Sequence, residues 1–353
     1  MRRSFLLLAT LSLALCFTLT GPAPAQLFRR VPPIEGRFHG TVLDFTHNHG
    51  ADRRIWSNAL CQKRDLYVYL PPCYDPTKRY PFMFWLHGIT QDEKGFIEVG
   101  LPEIDAAIAC GRMPPLIIAI PDGSVGGRPG RFSPNSGFLN THAGRFEDFL
   151  FDDVYEFVRS NFPIRPERGA HVLAGASIGG GAAFNHGIRR RDEFGVVLGI
   201  APPLNLRWMG PCGRYFANFD PERWGWREHY CLGLTPVGKF YGGLIAVPWR
   251  RLVHPLYGSG HQVVEQMSRD NPIELIDRYN LRDGELDMFV AYGGKDEFNL
   301  DAQIESFLYL AQSRGISITV AHDPRGRHNI SSARRFIPGA IDWLAQRLEP
   351  FRP

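Results

Sequence analysis

The sequence predicts an α/β fold built on a mostly parallel sheet with helices on both faces, and two patterns carry that expectation. Short unbroken apolar runs recur at Phe82-Met83-Phe84-Trp85-Leu86, Leu116-Ile117-Ile118-Ala119-Ile120, Val172-Leu173-Ala174, Val196-Val197-Leu198 and Met288-Phe289-Val290-Ala291. Runs of this kind suit strands covered on both sides. Between them lie helical periods, with Phe149, Val154, Phe157 and Val158 on one apolar face and Ile304, Phe307, Leu308 and Ala311 on another that ends at Gly315. Strands alternating with helices imply a parallel sheet, and ligands of such sheets bind beyond the carboxyl ends of the strands.

The 353 residues, 44% hydrophobic and 22% charged, can bury a real core and do not read as a disordered or fibrous chain. Met1-Arg2-Arg3, the apolar stretch from Phe5 to Leu19 and Ala23-Pro24-Ala25 before Gln26 read as a signal peptide over 1–25. A linker over 26–37 and a domain over 38–353 follow, and the expected location is periplasmic or extracellular. Cys16 follows Leu15, where lipid attachment wants a small side chain, so a lipoprotein reading is set aside. No other run reaches spanning length, so no stable membrane insertion is expected after cleavage. Net charge is +4, and losing Arg2 and Arg3 leaves +2, too little to suggest a nucleic-acid partner. Arg189-Arg190-Arg191 and Trp249-Arg250-Arg251 read as solvated helix ends or loops.

Along the domain, Thr41 to Phe45 and Asp65 to Leu70 alternate like antiparallel edge strands, the second ended by Pro71-Pro72. His47 and His49 sit in a polar turn and read as surface. Cys110 closes the apolar helical stretch from Ile104 and is expected to pack as a small hydrophobe. Five cysteines follow residue 25, so at least one is unpaired or intermolecular; Cys212 with Cys231 is the preferred bridge.

After the Val172 strand comes Gly175-Ala176-Ser177-Ile178-Gly179, followed by Gly180-Gly181 and a helical stretch from Ala182 to Ile188. This is G-x-S-x-G in a strand-turn-helix setting, which lifts the serine hydroxyl above the sheet and aims the next N–H at a developing oxyanion. A serine needs a base, and the base needs an orienting acid. Asp296 follows the Met288 strand, and His328 lies 32 residues further on, past one helix and the alternating Ile316 to Val320 strand. The chain order Ser177, Asp296, His328 is that of α/β-hydrolases. Glu297 and Asp301 compete for the acid and His322 for the base; Asp296 and His328 are preferred, the latter because Arg325-Gly326-Arg327 gives its loop reach. The second oxyanion donor is expected after His87-Gly88, so the hole is assigned to the backbones of Ile89 and Ile178, with His87 as framework.

Leu66 to Pro72 with Tyr74, Tyr80-Pro81, His87-Gly88, Asp122-Gly123, Phe132 to Ser136, Asp148-Phe149-Leu150 and the Gly175 to Gly180 elbow together resemble the esterase D family of α/β-hydrolases. The family includes feruloyl and acetylxylan esterases, enterochelin esterases, formylglutathione hydrolases and mycolyltransferases. The resemblance covers roughly 38 to 348 and implies a serine carboxylic-ester hydrolase without metal or organic cofactor, using Ser177, Asp296 and His328. Asp152-Asp153 and Ala201-Pro202-Pro203 depart from the family pattern. So does the 119-residue gap from Ser177 to Asp296, whose excess falls near 205–267 and is rich in Trp, Tyr, Gly and Pro. Trp208, Trp224, Trp226, Tyr230 and Trp249 in that insertion either form a small core of their own, the preferred reading, or a lid that stacks on substrate.

The leading expectation is an exported serine esterase acting on acyl esters of carbohydrates, of feruloyl or acetyl type. An acyltransferase with the same triad and a non-catalytic carbohydrate-binding protein on the same fold are the alternatives. Oligomeric state is open.

Overall fold

The computed structural model describes residues 38–89, 91–127, 135–229, 234–260 and 262–353. The expected signal peptide and linker, Cys231, Tyr230 and the 128–134 part of the resemblance lie outside the described residues.

Eight strands form one sheet: β1 (Thr41–Phe45), β2 (Leu66–Leu70), β3 (Phe82–Leu86), β4 (Ile117–Pro121), β5 (His171–Ala176), β6 (Val196–Ile200), β7 (Asp287–Gly293) and β8 (Thr319–Asp323). Their spatial order is β1-β2-β4-β3-β5-β6-β7-β8. From β4 to β8 every pairing is parallel, while β2 runs antiparallel to both β1 and β4. This is the α/β-hydrolase fold. Of the two strands expected at the edge only β1 is one; β2 is paired on both sides. The last strand lies three residues later than expected, because Ile316 packs into the core ahead of it while Thr319 to Asp323 make the pairing with β7.

Alternation explains the two faces. Phe82, Phe84 and Leu86 point to one side with Leu173, Val197 and Val290, where they meet α4 (Ile178–Arg189), α6 (Pro272–Arg278) and α7 (Leu300–Ser313). Met83, Ile118, Val172, Leu198 and Phe289 point to the other, under α1 (Glu93–Val99), α2 (Leu101–Ala109) and α8 (Ile330–Leu348). Each such side chain contributes roughly 1.5–3 kcal/mol when removed from water, so burial on both faces explains the unbroken apolar runs. The amphipathic stretch before Asn161 is π-helical over Phe149–Tyr155 and then becomes α3 (Glu156–Asn161). Asp153, one of the departures noted above, accepts from Ser57 Oγ at 2.5 Å and from the N–H groups of Asn58 and Ala59, tying this helix to the 57–59 turn.

The 205–267 segment folds as short pieces: an antiparallel hairpin of Pro236–Phe240 with Ile245–Pro248, two single-turn helices at Trp249–Leu252 and His254–Tyr257, and most of α5 (Gln262–Asp270). Its tryptophans turn inward. Trp208 is fully buried and stacks on Trp224, which meets Trp226 edge to face at 5.0 Å. Trp249 joins Val237, Leu256, Tyr257, Val263 and Met267 in a separate small core.

Cys110 corrects the expectation made of it: it is the exposed C-cap of α2, one step beyond the buried face. Cys61, Cys73 and Cys212 are also exposed, and the bridge expected at Cys212 falls on a residue outside the described ones. Among the described residues no helix is long and apolar enough to cross a membrane.

Candidate active site

Register sets the stage. Leu86 is level with Gly175, Ala176 with Ile200 and Ile200 with Ala291, so the carboxyl ends of four strands open onto one shelf. Ser177 occupies the turn between β5 and α4 with φ +52° and ψ −126°, a region costly to a non-glycine residue, on the order of 1–3 kcal/mol. Two glycines make the turn possible. A Cβ on Gly175 would fall 2.5 Å from the backbone of Gly179, and one on Gly179 would fall 2.2 Å from Leu86 O. The Ser177 N–H donates to Ile200 O at 2.8 Å and Ser177 O accepts from the Gly181 N–H at 3.0 Å, pinning the strained residue from both sides. Pro202 and Pro203 pack directly on Gly180 and Gly181, which gives the unusual Ala201-Pro202-Pro203 turn a packing role.

Asp296 and His328 arrive on two loops that touch. Gly293 at the end of β7 lies against Gly326, and a Cβ on Gly293 would fall 2.4 Å from the Gly326 carbonyl carbon. Lys295 N donates to Gly326 O at 2.9 Å and Gly294 N to Asp323 O at 3.0 Å. From this clamp Asp296, its side chain almost fully buried, uses Oδ1 to accept the Phe298 N–H and Oδ2 to accept from His328 Nδ1, both at 2.8 Å. His328 Nε2 stands 3.1 Å from Ser177 Oγ. The three residues nominated from chain order therefore form one hydrogen-bonded line.

Their competitors lie elsewhere. His322 is exposed and stacks on Tyr292 at 4.5 Å. Glu297 accepts the His328 N–H at 2.8 Å and the Arg327 Nε–H at 2.7 Å, so it holds the backbone of the histidine loop. Asp301 sits at the start of α7, where burial, and then the nearby Asp296 charge, push its carboxyl up to about 6. Burial alone would lower the His328 imidazole; the Asp296 charge and hydrogen bond, with the Glu297 charge, outweigh it and leave the base above its ordinary value.

Ile178 is the first residue of α4, so its N–H belongs to the first turn that a helix leaves unbonded. On the opposite side the β3 loop passes close to Ser177: a Cβ on Gly88 would sit 3.4 Å from Ser177 Cβ, and Ile89 follows at the rim. His87 is fully buried and accepts the Gly123 N–H on Nε2 at 2.8 Å, a framework position.

Ser177 separates two spaces. One is an apolar chamber of about 130 Å³, bounded near the serine by Ile89, Ile178 and Leu139 and roofed by Val237, Trp249 and Val253. The other is a cleft of about 300 Å³ shared with His328 and edged by Gln91, Arg327 and Asn329. Sequence reasoning missed the chamber-lining role of Val237, Val253 and Leu256 and the supporting part of Tyr215, whose hydroxyl donates to Phe298 O at 3.1 Å beneath the acid loop. Neither has a signal in spacing or composition.

A serine, a histidine and an aspartate in a line above the carboxyl ends of an α/β-hydrolase sheet is the arrangement of the serine hydrolases of this fold. The chain belongs to the putative esterase family, whose model matches residues 57–333. An esterase of Mycobacterium tuberculosis is 24% identical over 330 residues, which cover 89% of this chain and 64% of that protein. A Xylanibacter ruminicola endo-1,4-beta-xylanase/feruloyl esterase is 25% identical over 176 residues, 47% of this chain and 23% of the relative. The chain thus spans less than two thirds of the length of these relatives. A solved ferulic acid esterase superposes with a TM-score of 0.61 at 20% identity, covering 88% of this chain and 99% of that one.

Proposed function

We propose that the protein is an exported serine carboxylic-ester hydrolase that forms an acyl-enzyme on Ser177 and takes acyl esters of carbohydrates as its substrate class. The observation that carries the chemistry is the line Ser177 Oγ, His328, Asp296, with an apolar chamber on one side of the hydroxyl and a polar-edged cleft on the other.

In this reading His328 Nε2 takes the Ser177 proton as Oγ bonds to the ester carbonyl carbon, and the carbonyl oxygen becomes an oxyanion facing the N–H groups of Ile178 and Ile89. The tetrahedral centre collapses, the carbon–alkoxide bond breaks, and His328 returns the proton to the departing alcohol. Water then repeats the cycle on the acyl-enzyme, giving its proton to His328 and releasing the acid with Ser177 restored. Asp296 fixes the tautomer and offsets the imidazolium charge throughout.

The acyl group belongs in the chamber and the alcohol in the cleft. A volume of about 130 Å³ is close to that of an apolar cavity that holds benzene, and so suits one aromatic ring or roughly four to six carbons. The ring-sized chamber and the feruloyl activity named for one relative support a feruloyl-type acyl group over acetyl. We assign the 205–267 segment as the insertion that roofs this acyl side. Export rests on the first 25 residues, which lie outside the described ones.

The deciding assay uses p-nitrophenyl acetate and a methyl hydroxycinnamate with the wild type and Ser177→Ala. Turnover that falls by ~10⁴ or more in the variant supports the serine mechanism. Turnover that survives the substitution rejects it.

A further inference from the structure

The tip of the 236–248 hairpin presents apolar side chains that the hydrolytic reading does not use. Tyr241 to Ala246 are six consecutive exposed residues, with Tyr241 74%, Leu244 89% and Ile245 53% exposed, and Leu234 at the hairpin's foot is 67% exposed. Among the described residues, four of the eight exposed large apolar side chains fall between Leu234 and Ile245. An exposed run of this kind is out of place on an ordinary soluble surface and marks a contact. Gly242 and Gly243, with φ +69° and +98°, make the tight turn that projects it.

Charge selects the partner. From Leu234 to Gly260 the chain carries Lys239, Arg250 and Arg251 and no Asp or Glu. Arg250, Arg251 and His254, with Pro248 and Ser259, line a hollow at the foot of the same hairpin, where Pro248 pairs with Pro236. An apolar edge backed by cations matches the layering of an anionic lipid surface, with acyl chains beneath phosphate headgroups.

The finger is also joined to the candidate active site. Lys239 N donates to Glu297 O at 2.8 Å, and Phe240 packs edge to face on Phe298, which packs in turn on the His328 ring. Phe240 lines the cleft and Val237 the chamber. A surface held at the tip would therefore lie beside the mouth of the site.

We propose that residues 234–251 dock the protein on an anionic lipid surface, with Tyr241, Leu244 and Ile245 entering the apolar boundary and Arg250 and Arg251 meeting headgroup phosphates. Docking stands apart from ester hydrolysis, so Ser177→Ala protein binds as the wild type does.

The test is co-sedimentation of the purified chain with phosphatidylglycerol/phosphatidylcholine vesicles against pure phosphatidylcholine vesicles, at low and high salt. The expected result is binding to the anionic vesicles that weakens with salt. Leu244→Ser/Ile245→Ser should reduce it about a hundredfold and Arg250→Gln/Arg251→Gln about thirtyfold, with thermal unfolding unchanged in both. Absence of binding, or binding indifferent to both pairs, overturns the proposal. So does a wild-type dimer in light scattering that the Leu244/Ile245 pair makes monomeric without any vesicle binding, since a second copy would then cover the tip.

Discussion

Glu297 shows how much of the candidate site depends on groups that never reach the reacting atoms. In the sequence it rivals Asp296, since the two are adjacent and either carboxylate follows β7. The structure turns it toward the backbone N–H of His328 and the side chain of Arg327, and its charge adds to that of Asp296 in raising the imidazole. A general base works unprotonated, so activity falls as pH drops through the His328 value. The acid limb of the kcat/KM profile is therefore expected above the ordinary histidine value of about 6.5. Glu297→Gln should move that limb to lower pH, while Asp296→Asn, which leaves the wrong tautomer, should cost about 10⁴ in kcat. A limb that stays put in Glu297→Gln would show that the residue matters for loop geometry alone.

At the scale of elements, the central strands were readable because burial on both faces writes an unbroken apolar run, and the Ser177 elbow because its close approaches admit only glycine at 175 and 179. The antiparallel pair at the start of the sheet was half readable: alternation marks a strand, but it does not tell the paired β2 from the true edge β1. The chamber was not readable. Val237, Val253 and Leu256 come from a hairpin, the junction of two single-turn helices and the second of those helices, whose side chains show no period, and it is the small core they share with Trp249 and Met267 that gathers them at the chamber. This roof yields its own prediction. Val253→Phe adds bulk inside the chamber, so kcat/KM for a six-carbon p-nitrophenyl ester should drop tenfold or more while the acetate is largely spared. An equal loss on both would place the acyl group elsewhere. The basic pair Arg250-Arg251, which the sequence presents as a solvated helix end or loop, acquires a different meaning once the hairpin it follows is seen to carry an exposed apolar tip.

For the molecule as a whole, buried carboxylates give stability a pH dependence. Burial pushes Asp270, at the wall of the chamber, and Asp301 up to about 6, and burial likewise raises Glu93 at the start of α1. Between the unfolded value near 4 and the folded value near 6 the native state binds more protons than the unfolded chain, so stability falls as pH rises through that window. Asp270→Asn removes the charged form and should stabilise the protein by up to about 3 kcal/mol at pH 8, with the gain vanishing near pH 4; thermal unfolding at the two pH values checks it. The contact between Gly293 and Gly326 has a consequence in time. Ser177 lies 151 residues before His328, and the loops that carry Asp296 and His328 are seated by one another. In the proposed mechanism Ser177 has no base until the β7 and β8 loops are both in place, so a chain made only through β6 is expected to be chemically silent.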